Sequence, residues 1–329
     1  MKQYNVAILG ATGAVGREMY KVLMERKFPI GQLKLLASAR SAGKVLDGHT
    51  VEEATENSFQ GMDIVLGAAS NDLARRMAPH IKAAGAVFVD NSSAFRLDDG
   101  VPLVVPEINP EDAQKHNGII ANPNCSTIIS LVAIHALKEL SPIEAITAST
   151  YQAVSGAGAG GLAELEAQVR AYAEGKPLAA ETFPYQIAFN LIPQIGSPCE
   201  NGYTTEEMKM QNEGRKILHL PEMKVTCTCV RVPVLRSHSI SLSVRTREKI
   251  SVEAAREAIA KAKGCKLVDD LANKQYPMPL DTSDQDLVYV GRIRDDLTHE
   301  NGLSLWCCGD QIRKGAATNA IQIAELLLK

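Results

Sequence analysis

The chain has 329 residues, with 35 Lys plus Arg against 38 Asp plus Glu, a formal net charge of −3, and 45% hydrophobic but only 5% aromatic residues. The apolar fraction fills a sizeable core and excludes wholesale disorder, and the length suits about two domains. The near-neutral balance leaves no electrostatic footprint for nucleic acid or an anionic membrane, and without a run of about 18 apolar residues no transmembrane helix is expected.

From the N-terminus, residues 5–9 read as a buried strand, 14–26 as a helix and 33–37 as a second strand. A strand at 63–69, a helix at 73–84 and strands at 87–90 and 119–121 follow, then a long apolar helix at about 127–140. Continuous apolar strands separated by helices predict a parallel sheet covered on both faces. Beyond about residue 141 the strands lengthen and alternate, at 145–154, 223–232, 239–245 and 303–307. Helices are fewer there, near 252–263 and at 315–328, so this part predicts an α+β domain with a mixed, largely antiparallel sheet. The change of pattern puts a domain boundary near residue 127.

The seven cysteines, at 125, 199, 227, 229, 265, 307 and 308, are odd in number and partly too close together for a disulfide framework. Cys227, Cys229, Cys307 and Cys308 lie in strand-like runs and read as small buried hydrophobes. The cytoplasm is the expected compartment, and no metal is expected.

Gly10, Thr12, Gly13, Ala14, Val15 and Gly16 belong to the turn GATGAVG between the first strand and the first helix. Glycines there allow a tight turn and let a pyrophosphate approach the helix N-terminus, as in a Rossmann-type dinucleotide-binding domain. The spacing is GxxGxxG rather than GxGxxG, so a plain strand–helix turn stays open. The second strand runs into Ser38, Arg40 and Ser41, with Lys44 behind and no acid until Asp47. An acid at that point would bond a ribose 2′-OH; a guanidinium between hydroxyls suits a 2′-phosphate and points to NADP rather than NAD.

Cys125, in Asn122-Pro123-Asn124-Cys125-Ser126-Thr127, falls where a strand hands over to a helix. Helix N–H groups stabilise a thiolate at such a position, the setting of a nucleophile. Of the seven histidines, His238 differs in lying in a basic loop between two strands, although a bland loop histidine is an equal reading. By default Gln152 is a structural amide, and Glu206 with Lys209 an i,i+3 surface pair on a helix.

The stretches GATGAVG, LASARSAGK, DNSSAFR, VPLVVPEIN, NPNCST, STYQAVSGAG, EEMKMQNE, RVPVLRSHS and RKGAATNAIQIAE together resemble the aspartate-β-semialdehyde dehydrogenases over nearly the full length. The resemblance implies reversible NADPH reduction of L-aspartyl-β-phosphate to the semialdehyde and phosphate. That step lies on the aspartate pathway to lysine and diaminopimelate, threonine, methionine and isoleucine. It implies Cys125 as the nucleophile that forms a thioester, and His238 as general acid/base with a pKa near ~6.5. Gln152 would orient the acyl group, Arg96 and Lys209 would hold phosphate, Arg231 the α-carboxylate and Glu206, or its neighbour Glu207, the α-ammonium. Asn124 and Asn91 are expected at the phosphate and acyl pocket. Asn319 is expected at the nicotinamide carboxamide with Ser155 and Gly156 nearby, and Ser70 has a less defined role beside the cofactor. The NADP-binding domain would then be discontinuous, residues 1–127 with 310–329, around a catalytic and dimerisation domain at 128–309. A homodimer or homotetramer is implied.

Two alternatives compete: a sibling N-acetyl-glutamyl-phosphate reductase, which needs no partner for a free α-ammonium, and a Cys–His thiol hydrolase. The glycine turn and SARSAGK argue against the hydrolase, which has no use for a dinucleotide. A catalytically silent paralogue is disfavoured because Cys125, Gln152 and His238 are all present.

Overall fold

The computed structural model describes residues 2–328 and forms two compact units, the first running to Asn124 and resuming at Ala316, the second Cys125–Gly315. The first unit opens with β1 (Tyr4–Leu9), α1 (Ala14–Glu25) and β2 (Ile30–Ala37), then an edge hairpin of β3 (Val45–Leu46) and β4 (His49–Glu53). It continues with β5 (Ile64–Gly67), α2 (Asn71–Ala83), β6 (Val87–Asp90) and β7 (Ile119–Ala121). The strand order is β3-β4-β2-β1-β5-β6-β7, parallel except for the hairpin. Strand order reverses beside β1, which has β2 on one side and β5 on the other, and such switch points open a ligand crevice at the strand C-termini.

Val6 and Ile8 of β1, Met19 and Leu23 of α1 and Ile321 and Ile323 from the C-terminal segment share this unit's core. Strands β5, β6 and β7 are short, nearly continuous apolar runs, as expected where both faces of the sheet are covered. The hairpin β3–β4 was not among the expected elements; its strands carry Glu52, Glu53 and His49 at an edge, and they lack the apolar run that marked the others.

The second unit starts with α3 (Cys125–Lys138), β8 (Ile143–Gln152), α4 (Gly158–Ala173) and α5 (Thr205–Leu218). Next come β9 (Lys224–Arg231), β10 (His238–Thr246), α6 (Val252–Lys261), β11 (Cys265–Leu267), the short α7 (Pro279–Thr282), β12 (Val288–Asp295) and β13 (Gly302–Gly309). The six-stranded sheet runs β11-β12-β13-β10-β8-β9, mixed in direction, with β12–β13, β13–β10 and β10–β8 antiparallel. Helices α3, α5 and α6 pack on it. Their face is lined by Cys227, Ala148, Leu242 and Leu305, which oppose one another across the register and are all buried. The alternate positions Thr147, Tyr151, Thr226 and Thr228 are exposed on the other face, the period-2 pattern of a half-covered sheet. The architecture is therefore α/β, a Rossmann-type unit plus an α+β unit with a mixed, largely antiparallel sheet.

Three differences from the sequence expectation have local causes. Helix α4 opens on Gly158, Gly160 and Gly161, which hide its period. Strand β12 carries Arg292, Arg294 and Asp295 and lacks a clean alternation. The C-terminal helix, expected over 315–328, begins as a π-helical turn at Arg313–Ala317 and becomes α8 at Thr318–Glu325.

Candidate active site

In the first unit the glycine turn sits at the crevice between β1 and β5. Gly10 has φ +89°, and a Cβ there would lie 2.3 Å from the Ala68 carbonyl oxygen. A Cβ on Gly16 would lie 2.2 Å from the Gly10 carbonyl oxygen. These two glycines are required by the turn's own packing. Gly13 is not, since a Cβ there would meet nothing closer than 3.5 Å, so its smallness leaves space in front of the turn. Gly13 is also the N-cap of α1, which has no side-chain cap and no acid in its first turn. The N–H groups of Ala14, Val15 and Gly16 begin that helix, and with Thr12 in the turn they form a cradle suited to a pyrophosphate.

After β2 the chain makes a short 3₁₀ turn at Ala39–Ser41, with Ser38 as its N-cap and Ser41 buried. Arg40 is exposed, and no acid lies within the turn. The donor set fits a 2′-phosphorylated dinucleotide. Ser70, by contrast, caps α2, its Oγ accepting the Leu73 N–H.

Arg96 is buried and held by carbonyls: its Nε donates to Asn122 O at 3.0 Å and Nη2 to Asn91 O at 2.9 Å. Asp90 and Ser92 brace this loop, with Ser92 Oγ donating to Asp90 Oδ2 at 2.5 Å. Burial pushes the Asp90 carboxyl above its ordinary range despite those bonds. Asn319 is fully buried, and its Nδ2 donates to Val104 O at 3.0 Å and Asn122 Oδ1 at 2.6 Å. Asn124, also buried, ends this unit.

In the second unit the sheet register assembles the reactive side chains. Gln152 ends β8 and opposes Arg231, the last residue of β9. Ser239 opposes Tyr151, which sets His238, the first residue of β10, beside Gln152. Arg231, Gln152 and His238 thus form one row at the end of the sheet, on its buried face. Cys125 is the first residue of α3 on that same face, where the positive end of the helix stabilises anionic sulfur. It also interacts electrostatically with Arg231.

Each of these side chains is fixed. Thr150 Oγ1 donates to Gln152 Oε1 at 3.0 Å, and Gln152 Nε2 donates to Glu206 Oε1 at 3.3 Å. Glu206 Oε2 pairs with Lys209 Nζ at 2.8 Å. Arg231 Nη1 donates to Ala153 O at 2.7 Å. Burial lowers its guanidinium from the ordinary range, opposed by Cys125 and Glu206. Gly156 makes the close approach possible: a Cβ there would lie 2.7 Å from Arg231 Nη1 and 3.3 Å from His238 Cε1. Its neighbour Ser155 is buried, with Oγ accepting from Gln311 Nε2.

Two expectations are sharpened. Glu207 is used by the fold: its carboxylate accepts the Thr204 N–H at 2.7 Å and the Cys229 N–H at 2.9 Å within a capping box, which leaves Glu206 as the acid beside Gln152. His238 lies at a strand start, not in a loop, and is fully buried. Its Nδ1 accepts the Ala153 N–H at 3.1 Å, while among the described residues Nε2 has no partner. Burial, reinforced by Arg231, lowers its pKa to about 3. The expectation of a histidine titrating near neutrality is therefore corrected: the imidazole is neutral, and because Nδ1 accepts a hydrogen bond the proton sits on Nε2.

The family model described as semialdehyde dehydrogenase, NAD binding domain, matches residues 5–116, and the one described as semialdehyde dehydrogenase, dimerisation domain, matches residues 134–314. An aspartate-semialdehyde dehydrogenase of Synechocystis sp. is 54% identical, covering 98% of this chain and 97% of its own. The chain belongs to the aspartate-semialdehyde dehydrogenase family.

Within this aspartate-semialdehyde dehydrogenase family, the Vibrio cholerae enzyme II, solved in complex with ASA, superposes with a TM-score of 0.95 at 46% identity, over 99% of this chain and 98% of that one. The Candida albicans enzyme, solved with NADP, has a TM-score of 0.76 at 26% identity, over 99% and 98% of the two chains. This family member is thus an oxidoreductase with a Rossmann-type, NAD(P)-binding domain, acting on an aldehyde group. Among the described residues no helix is long and apolar enough to cross a membrane. Sequence reasoning missed Asn122, Thr150 and Gln311, which touch the expected residues without belonging to a recognisable spacing.

Proposed function

We propose that this chain interconverts L-aspartyl-β-phosphate and L-aspartate-β-semialdehyde, releasing or consuming phosphate, through a thioester on Cys125. The carrying observation is the single row Arg231, Gln152 and His238 at the sheet end, on the face that also presents Cys125. The Cys125 thiolate attacks the acyl carbon, the C–S bond forms as the C–O bond to phosphate breaks, and a thioester remains. NADPH, when bound, supplies hydride to that carbon. Addition to a thioester yields an oxyanion directly, and its collapse returns the aldehyde and the thiolate with no net proton transfer. The chemistry therefore needs a hydrogen-bond donor at the oxygen, and the neutral His238 Nε2–H supplies one in a buried setting where it counts most.

Gln152 orients the acyl group, its own amide held by Thr150 and Glu206. Arg231 suits the α-carboxylate through its planar fork, and Glu206 the α-ammonium. Lys209 and Arg96 are assigned to the phosphoryl group, with Asn124 lining its pocket. Gly10, Thr12, Gly13, Ala14, Val15, Gly16, Ser38, Arg40 and Ser41 hold the dinucleotide, with Ser155, Gly156 and Asn319 assigned to its nicotinamide end. Glu206 favours this reading over the N-acetylated sibling substrate, which has no ammonium. Purified enzyme with NADP and phosphate should turn over aspartate semialdehyde at least ~100-fold faster than N-acetyl-glutamate semialdehyde, as expected when a buried charge loses its partner. Equal rates would refute the substrate assignment.

Arg40→Ala should weaken NADP binding by roughly 10–100-fold, the worth of a charge-assisted contact, and barely change NAD binding. Equal losses in a fluorescence titration would remove Arg40 from the 2′-phosphate site. We also infer a homodimer built on the second unit, with tetramers as a further level. The uncovered sheet face, with Thr147, Tyr151, Thr226 and Thr228 exposed, supports it. A cytoplasmic location accords with seven free thiols, and the product would enter lysine, threonine, methionine and isoleucine biosynthesis.

A further inference from the structure

The segment 310–315 carries no reactive group, yet it touches the supports of His238 and Cys125. Gln311 is 4% exposed. Its Oε1 accepts the Ser237 N–H at 2.8 Å, and its Nε2 donates to Ser155 Oγ. Ser237 immediately precedes His238, is fully buried and is held at φ +74°, a conformation that a residue with a Cβ keeps only when its surroundings impose it. Ser155 immediately precedes Gly156, where a Cβ would lie 3.4 Å from His238 Nε2. One amide thus ties the backbone that launches the imidazole to the turn that its Nε2 edge lies against.

The amide is itself anchored. The fully buried Asp310 carboxylate accepts the N–H groups of Asp284, Ile312 and Arg313 and pairs with Arg236 Nε at 2.6 Å. At the far end of the segment, Gly315 N–H donates to Asp310 O at 3.0 Å, closing the π-helical turn. A Cβ on Gly315 would lie 2.8 Å from Cys125 Cβ, so the same segment packs directly on the nucleophile.

We propose that Gln311 is a positioning residue, which acts through Ser237 and the Ser155–Gly156 turn to aim the His238 Nε2–H at the reacting oxygen. This rests on the reading of His238 as the oxyanion donor. Gln311→Met keeps the volume and loses both hydrogen bonds. It should lower kcat roughly 30-fold, as a small misplacement of a catalytic group does, with KM for the semialdehyde and the rate of Cys125 alkylation by iodoacetamide within about twofold of wild type. In a His238→Gln background the same change should cost less than about twofold, because the group it aims is already gone.

Losses that multiply across the two backgrounds, wild-type turnover in Gln311→Met, or alkylation falling in parallel with kcat would overturn the proposal. Where Gln311→Met does not fold, Gln311→Leu removes the same two bonds with a different apolar side chain and should show a kcat loss that again vanishes in the His238→Gln background; additivity there would also overturn it. If His238→Gln alone keeps wild-type turnover, the underlying reading of His238 fails, and that outcome is distinct from a failure of Gln311.

Discussion

Serine in place of Cys125 is expected to lower phosphate-dependent oxidation of the semialdehyde by at least ~10³-fold, since removing a nucleophile costs orders of magnitude even where binding survives. The hydroxyl is smaller than the thiol and fits beneath Gly315, so the fold is preserved. What is lost is the anion. The α3 N-terminus and Arg231 favour an anionic sulfur over a neutral one, but an alkoxide lies far out of reach. The dinucleotide cradle belongs to the other unit, so NADP affinity should stay within about twofold of wild type. Steady-state rates and an NADP titration of Cys125→Ser check both halves. Wild-type-like turnover would end the thioester mechanism.

His238→Gln is expected to reduce kcat by roughly 10²–10³-fold, the usual worth of one oxyanion donor. Because burial and Arg231 lower the His238 pKa to about 3, the kcat profile of the wild type should show no ionisation from this residue between pH 5 and 8 (roughly the span of an ordinary histidine). A kcat inflection near 6.5 that disappears in His238→Gln would show an imidazolium at work and contradict the neutral-donor reading. Stability carries the same signature. The unfolded chain binds the proton at the ordinary value of 6.5, whereas the folded chain does so only near about 3. Between those two values the unfolded state holds more protons, so stability present above about 6.5 is lost as pH falls, by up to ~1.4 kcal/mol per pH unit. His238→Gln should flatten that part of the urea-denaturation pH series.

Much of this was legible because its signals are local. The turn from Gly10 to Gly16, the Ser38–Arg40–Ser41 stretch and the strand-to-helix handover at Cys125 each announce their chemistry within a few residues. His238, Gln152 and Arg231 could be named from the family's stretches, but their adjacency depends on a register that pairs β8 with two strands far along the chain. The burial of His238 could not be read at all, and with it went the expectation of a near-neutral pKa: a basic stretch with three nearby hydroxyl or proline residues looks like an exposed loop. Glu206 and Glu207 are equivalent in sequence and opposite in structure, one facing Gln152 and the other closing the capping box with Thr204. Gln311 had no signal, since its partners Ser155 and Ser237 meet it only after the sheet has formed.

The central claim is the covalent intermediate on Cys125, and leaving out phosphate tests it most directly. Enzyme mixed with aspartate semialdehyde and NADP, but without phosphate, should form at most one NADPH per chain in a rapid burst and then stall. Intact-mass and peptide analysis of the stalled enzyme should show one aspartyl group on Cys125. Sustained turnover at the phosphate-supported rate, or an acyl group on any other residue, would contradict the account.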